Sequence, residues 1–305
     1  VRQDEPASLG PALPFRPLTT RALGWSALAA LAVTAWWGLW VSPPDVVQGQ
    51  LVRILYVHPA VATMCYVGFG LCALGSLAWL WPRTRSPRWD RLAVAGAEVG
   101  SVFCLATLVT GSIWGRATWG VWWTWDPRLT LTAILFAMSL GYLALRRGID
   151  KPQARSLASS VVAVLMALTV VVDHYATSWW NSLHQGTTLL QPNPTVHGWQ
   201  LATMLASFVA FGLVFAWMMV HRYRVEVMEE RYEDELLQAA LAARRSEVAL
   251  LEPGGPGTGW AGREDWAGDG PGRRLAPAPG SPPGQAGVGA GALPPAGGRP
   301  EVGVR

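Results

Sequence analysis

The sequence predicts an all-α integral membrane protein with six transmembrane helices and both termini in the cytoplasm, on three observations. Only 14% of the 305 residues are charged, against about 25% in an average soluble domain. Apolar runs near the roughly 20 residues that cross a hydrocarbon core recur from Ala22 to Val220. Lys and Arg gather in alternate loops, which sets the orientation.

The spans follow in order. The polar stretch 1–21 lacks the apolar core and cleavage site of a signal peptide and is expected to be a cytoplasmic tail. The first span covers about 22–41 and ends on Trp36, Trp37 and Trp40, before Ser42-Pro43-Pro44. The second, about 59–81, follows Tyr56-Val57-His58-Pro59 and stops at Pro82. The third, about 92–114, carries Glu98, a candidate for function or for pairing with a neighbouring helix. The fourth is about 129–145, the fifth about 157–176 with Asp173 and His174 near its far end, and the sixth about 199–220. Trp36, Trp37, Trp40, Trp79 and Trp81 fit an interfacial aromatic belt.

Arg83, Arg85, Arg88 and Arg91 follow the second span, and Arg146, Arg147, Lys151 and Arg155 follow the fourth. The other side holds Arg53, Arg116 and Arg128. This bias puts the loop between the third and fourth spans, together with His58 and His184, on the outer face. Residues 222–252 alternate charge and read as a cytoplasmic helix, and 253–305 are Gly, Pro and Ala-rich and read as a disordered tail. Together, 22–221 form one transmembrane domain. Cys65, Cys72 and Cys104 lie in apolar runs without metal spacing and read as small buried hydrophobes.

Five tryptophans fall within twelve residues: Trp114, Trp119, Trp122, Trp123 and Trp125, followed by Asp126, Pro127 and Arg128. A belt needs one or two indoles at a helix end, so this cluster fits a belt poorly, and the other reading is something flat to hold. His58 and His184 share its face. Haem iron takes one axial imidazole from each side of a planar ring. The indoles would wall a porphyrin, and Arg128 and Arg116 are candidates to meet its propionates. Asp126 either fixes the loop, as N-cap to a helix that Pro127 opens, or orients a ligand or partner. His174 is a weaker ligand candidate, His197 flanks the sixth span, and His221 lies on the cytoplasmic side. No P-loop, catalytic triad or carboxylate pair is present, so any ATP would be bound by another subunit.

Trp119–Thr130 (W-G-V-W-W-T-W-D-P-R-L-T), preceded by G-S-I-W-G-R at 111–116, resembles the WWD signature of haem-handling membrane proteins. Y-V-H-P at 56–59 and W-W-N-S-L-H-Q-G at 179–186 are similar to the histidine segments of one branch, the CcmC or haem exporter protein C family of cytochrome c maturation. The resemblance covers about 22–225. It implies a carrier of haem b at the periplasmic face of the bacterial inner membrane, delivering its cargo to the haem chaperone CcmE for c-type cytochrome biogenesis. His58 and His184 would be the axial ligands. Trp114, Trp119, Trp122, Trp123, Trp125, Asp126 and Arg128 would form the haem platform. CcmA and CcmB of an ABC transporter, the small protein CcmD and membrane lipid are the implied partners; no nucleic acid is expected. Catalysis is not expected, beyond help with covalent haem attachment to CcmE. The alternatives are a haem lyase of the CcmF or CcsA type, an exporter that conducts haem through its own bundle, and a scaffold whose Trp loop only docks a partner. The extension beyond the sixth span departs from the family pattern.

Overall fold

A computed structural model describes residues 17–184 and 196–251. The expectations for 253–305 and for most of the N-terminal tail lie outside these. The described residues form these helices: α1 Pro17–Trp36, continued by a wider π-helical turn Trp37–Val41; a short α2 Val52–Leu55; α3 His58–Leu80; α4 Pro87–Trp119; α5 Pro127–Gly148; α6 Pro152–Trp179; and α7 Gly198–Leu251. Among the described residues, six stretches are long and apolar enough to cross a membrane. The described residues up to 243 belong to one compact unit, and 244–251 fall outside it.

Proline opens α3, α4, α5 and α6 in the first turn, where its missing N–H costs nothing. The helices outrun the expected spans. α4 extends to Trp119, so Trp114 and Trp119 stand on its last turns rather than in a loop. Nothing in the sequence before Gly120 breaks a helix. Gly120, at φ +80°, takes the left-handed conformation that stops it. The connection proper is only 120–126. α2 was not expected from the sequence.

α3 and α4 cross without intervening side chains. A Cβ on Gly68 would sit 2.6 Å from the Gly100 Cα, and one on Gly96 would sit 2.8 Å from the Cys72 nitrogen. Bilayer tails offer no hydrophobic drive for helices to associate, so close backbone approach supplies the attraction instead. The spacing Gly96-x-x-x-Gly100 carried this signal. Around the crossing lie Cys65, Phe69, Cys72, Phe103, Cys104, Leu135, Tyr142 and Met166. All three cysteines are buried and free.

Trp36, Trp40 and Trp81 are exposed, as a belt requires, but Trp79 is buried, with the Arg85 guanidinium 4.8 Å from its ring centre. Trp79 therefore leaves the belt, because the basic loop that follows folds back over it. Glu98 is paired rather than solitary: Arg222 Nη2 donates to its carboxylate at 2.8 Å. Asp90 and Arg146 form a two-pronged pair at 2.9 and 2.7 Å, and Arg91 meets Glu230 at 2.6 Å.

Candidate functional site

The site forms where the first turn of α3, the end of α4, the start of α5 and the residues after α6 meet. His58 opens α3 and is buried. Its Nδ1 lies 2.9 Å from Thr110 Oγ1 on α4. That hydroxyl also donates to the Ala106 carbonyl at 2.7 Å, which leaves its lone pairs for an Nδ1–H. This tautomer presents Nε2 as an acceptor. Gly111 makes room for the ring, since a Cβ there would meet His58 Cε1 at 3.2 Å. One turn on, a Cβ at Gly115 would meet the Trp119 ring at 3.2 Å. The two glycines share one helix face, and both were present in the motif at 111–116.

His184 lies beyond α6, yet its ring centre is 6.1 Å from that of His58, with the planes inclined by 26°. Asp126 places it. The buried carboxylate caps α5, accepting from Arg128 N–H at 3.0 Å. The same carboxylate accepts from Ser182 Oγ at 3.0 Å and from the Leu183 N–H at 2.8 Å. Ser182 Oγ in turn accepts from the His184 N–H at 3.0 Å. Asp126 is thus both cap and staple, tying the His184 segment to α5.

Tryptophans wall the pair. Trp114 stands edge-on to His58 at 5.6 Å and Trp119 edge-on to His184 at 5.7 Å. Trp123 and Arg128, with both imidazoles, line a cavity whose free volume is about 50 Å³. Trp122 and Trp125 point outward; Trp125 is 82% exposed and meets Trp123 edge-on. Arg116 is exposed and donates to the Gly120 carbonyl, closing the end of α4 instead of lining the cavity. His174 packs against Tyr66 and Tyr175. Residues that the sequence did not single out complete the floor. Tyr66 donates to Asp173 at 2.6 Å, and Thr132 lies 3.3 Å from the same carboxylate. Tyr66 and Thr132 both face the cavity, while Asp173 is wholly buried.

Burial, followed by the nearby Arg128 guanidinium, lowers the His184 pKa to about 4, and the Asp126 carboxylate opposes this in part. At neutral pH the ring is therefore an uncharged imidazole, the form that binds metals. A separation of 6.1 Å between ring centres leaves room for one metal atom, were a nitrogen of each ring turned toward it. Two bonds of about 2.0–2.1 Å would take up about 4 Å of the separation, and the half-widths of the two rings take up the rest.

Residues 9–238 match the family model of CcmC, "Heme exporter protein C". The chain belongs to the Heme exporter protein C family. It is 34% identical to Heme exporter protein C of Bradyrhizobium diazoefficiens over 242 residues, covering 77% of this chain and 90% of that protein. It is 32% identical to the Haemophilus influenzae protein of the same name, over 67% of this chain and 82% of that one. The Escherichia coli K12 protein is 35% identical over 55% of this chain and 69% of its own length. The family match takes in His58, the whole Trp-rich segment and His184.

Proposed function

We propose that this protein is the haem-carrying component of a haem export system for cytochrome c maturation. Haem b would be held by His58 and His184 and delivered to a CcmE-type chaperone. The observation that carries this reading is the pair of imidazoles 6.1 Å apart under a tryptophan wall, in a chain of a family named for haem export. His58 Nε2 and an imidazole nitrogen of His184 would be the axial ligands. Trp114, Trp119 and Trp123 would flank the macrocycle, and Arg128 would meet a propionate.

A free volume of about 50 Å³ holds a few water molecules, far less than a macrocycle needs. The macrocycle therefore enters only as the lining side chains part, and the outward-facing Trp122 and Trp125 stand where a chaperone would approach. The site faces the periplasm and both termini the cytoplasm. Arg83, Arg85, Arg88, Arg91, Arg146, Arg147, Lys151 and Arg155 all lie at the opposite ends of the helices, which supports this orientation in the inner membrane. The CcmA, CcmB and CcmD proteins are the corresponding partners.

The test is an absorption spectrum of the detergent-purified protein, oxidised and reduced, beside the His58→Ala/His184→Ala variant, followed by mixing with the chaperone. A low-spin bis-imidazole spectrum in the parent, absent from the variant, and movement of the haem to CcmE are the expected results. A parent that takes up no haem on reconstitution sinks the reading.

A further inference from the structure

Away from the imidazole pair, α1 and α7 enclose a groove of about 680 Å³. Its two walls are single helix faces. Gly24, Leu28 and Leu31 follow the three-to-four-residue repeat on α1, and Val214 and Trp217 follow it on α7. The walls are apolar along most of their length. Gly24 lets the helices approach, because a Cβ there would fall 2.8 Å from Trp217 Nε1.

One end is different. Arg21, His221 and Arg224 line it together. None of the ion pairs among the described residues includes Arg21 or Arg224. Arg224 Nε is buried with no hydrogen-bond partner among the described residues, and its Nη1 reaches only Thr20 Oγ1, at 3.4 Å. Arg222, two residues away, shows the contrast: Glu98 and Glu226 both pair with it. Among the described residues, the groove therefore carries uncompensated positive charge at one end and hydrocarbon-like walls at the other.

We infer that this groove is a binding site for one anionic phospholipid, its phosphodiester held by Arg21 and Arg224 and an acyl chain laid along Leu28, Leu31 and Trp217. Basic pockets between transmembrane helices on the cytoplasmic side suit such headgroups. A zwitterionic lipid would fill the walls equally well but would leave the guanidinium charge uncompensated, so the headgroup decides the selectivity. The site is independent of the haem reading.

The test uses the full chain in detergent micelles doped with equal amounts of phosphatidylglycerol and phosphatidylcholine, read by native mass spectrometry. The expected result is preferential retention of one phosphatidylglycerol. That preference should fall about fivefold for each arginine removed in Arg21→Gln and Arg224→Gln, with helix content unchanged by circular dichroism. Arg53→Gln, at the other end of the bundle, should change nothing. A photo-reactive amino acid in place of Leu28, activated in native membranes, should label lipid. Equal retention of the two lipids, full retention by both glutamine variants, or a cross-link to a polypeptide instead of lipid would each overturn the proposal.

Discussion

The two ends of the helical bundle treat polar groups in opposite ways. At the end that holds Asp90, Glu98 and Arg222, four carboxylates are paired: Asp90 with Arg146, Glu230 with Arg91, and Glu98 and Glu226 with Arg222. The cavity there is roomy, about 540 Å³, and Glu98, Arg146, Arg222, Glu226 and Glu230 are among the residues that line it. At the other end the free space is about a tenth of that, yet His58 Nε2 has no hydrogen-bond partner among the described residues and two imidazoles face one another. Volume does not distinguish the imidazole end. What marks it is coordinating capacity left unspent and held in place by groups behind it: Thr110 behind His58, and Asp126 with Ser182 behind His184.

The largest expected effect breaks the comparison outright. His58→Ala with His184→Ala should abolish the low-spin haem spectrum while leaving the melting temperature of the haem-free protein nearly unchanged. Arg222→Ala should do the reverse, keeping the spectrum and destabilising the fold. Breaking a fully buried pair costs about 3–5 kcal/mol. Arg222 and Glu98 are 23% and 26% exposed, so about 2 kcal/mol is expected after allowing for solvent screening. Thermal melting beside absorption spectra checks both. A haem-free Arg222→Ala protein that melts normally would show that the charged end belongs to the site.

Asp126→Ala comes next. It removes a helix cap, worth about 1 kcal/mol, and with it both anchors of the His184 segment. Groups that orient a ligand from behind typically cost 10–100-fold in metal affinity, and a loss in that range is expected in haem titrations. Asp126→Asn keeps an oxygen for the cap and should lose less. Thr110→Val leaves the His58 ring without its orienting partner, and about a tenfold loss is expected. Retention of full affinity by both Asp126→Ala and Thr110→Val would mean that the imidazoles orient themselves.

Much of this was legible in the sequence, for identifiable reasons. Span count and order follow from apolar run length, and Asp126-Pro127 announced a capped helix start. His58 and His184 were marked by their motifs and by falling on the same side of the membrane. Their 6.1 Å approach was not legible, because it depends on the Asp126–Ser182–Leu183 staple, a contact between segments more than fifty residues apart. The tryptophans divide for a reason of length: run length ends the expected third span at about 114, whereas α4 continues until Gly120 stops it. Trp114 and Trp119 therefore face the imidazoles from a helix, while Trp122 and Trp125 face outward from the connection. Asp173 was visible as an intramembrane carboxylate, but its partners Tyr66 and Thr132 sit on two other helices, and neither residue type signals a partner by itself.

The smallest expected effect sharpens the electrostatic side of the comparison. An ordinary histidine titrates near pH 6.5, and only the neutral ring binds iron. His184 is held down to about 4, by burial first and by Arg128 second. Haem affinity should therefore stay flat from pH 7.5 to about 5 and fall as the pH passes through about 4. The sign for stability follows from the same shift. Between about 6.5 and 4 the unfolded chain binds a proton at this residue that the folded chain does not, so acidification through that window destabilises the haem-free protein. Arg128→Gln removes the lesser cause, so the inflection should move only part of the way back toward 6.5. Arg222→Gln, a cation at the charged end, should leave it in place. Haem titrations at successive pH values distinguish the cases. A decline beginning near pH 6.5 in the parent protein would mean that the His184 ring is as wet as a surface histidine, and the contrast between a dry coordinating end and a paired ionic end would fail on the group that defines it.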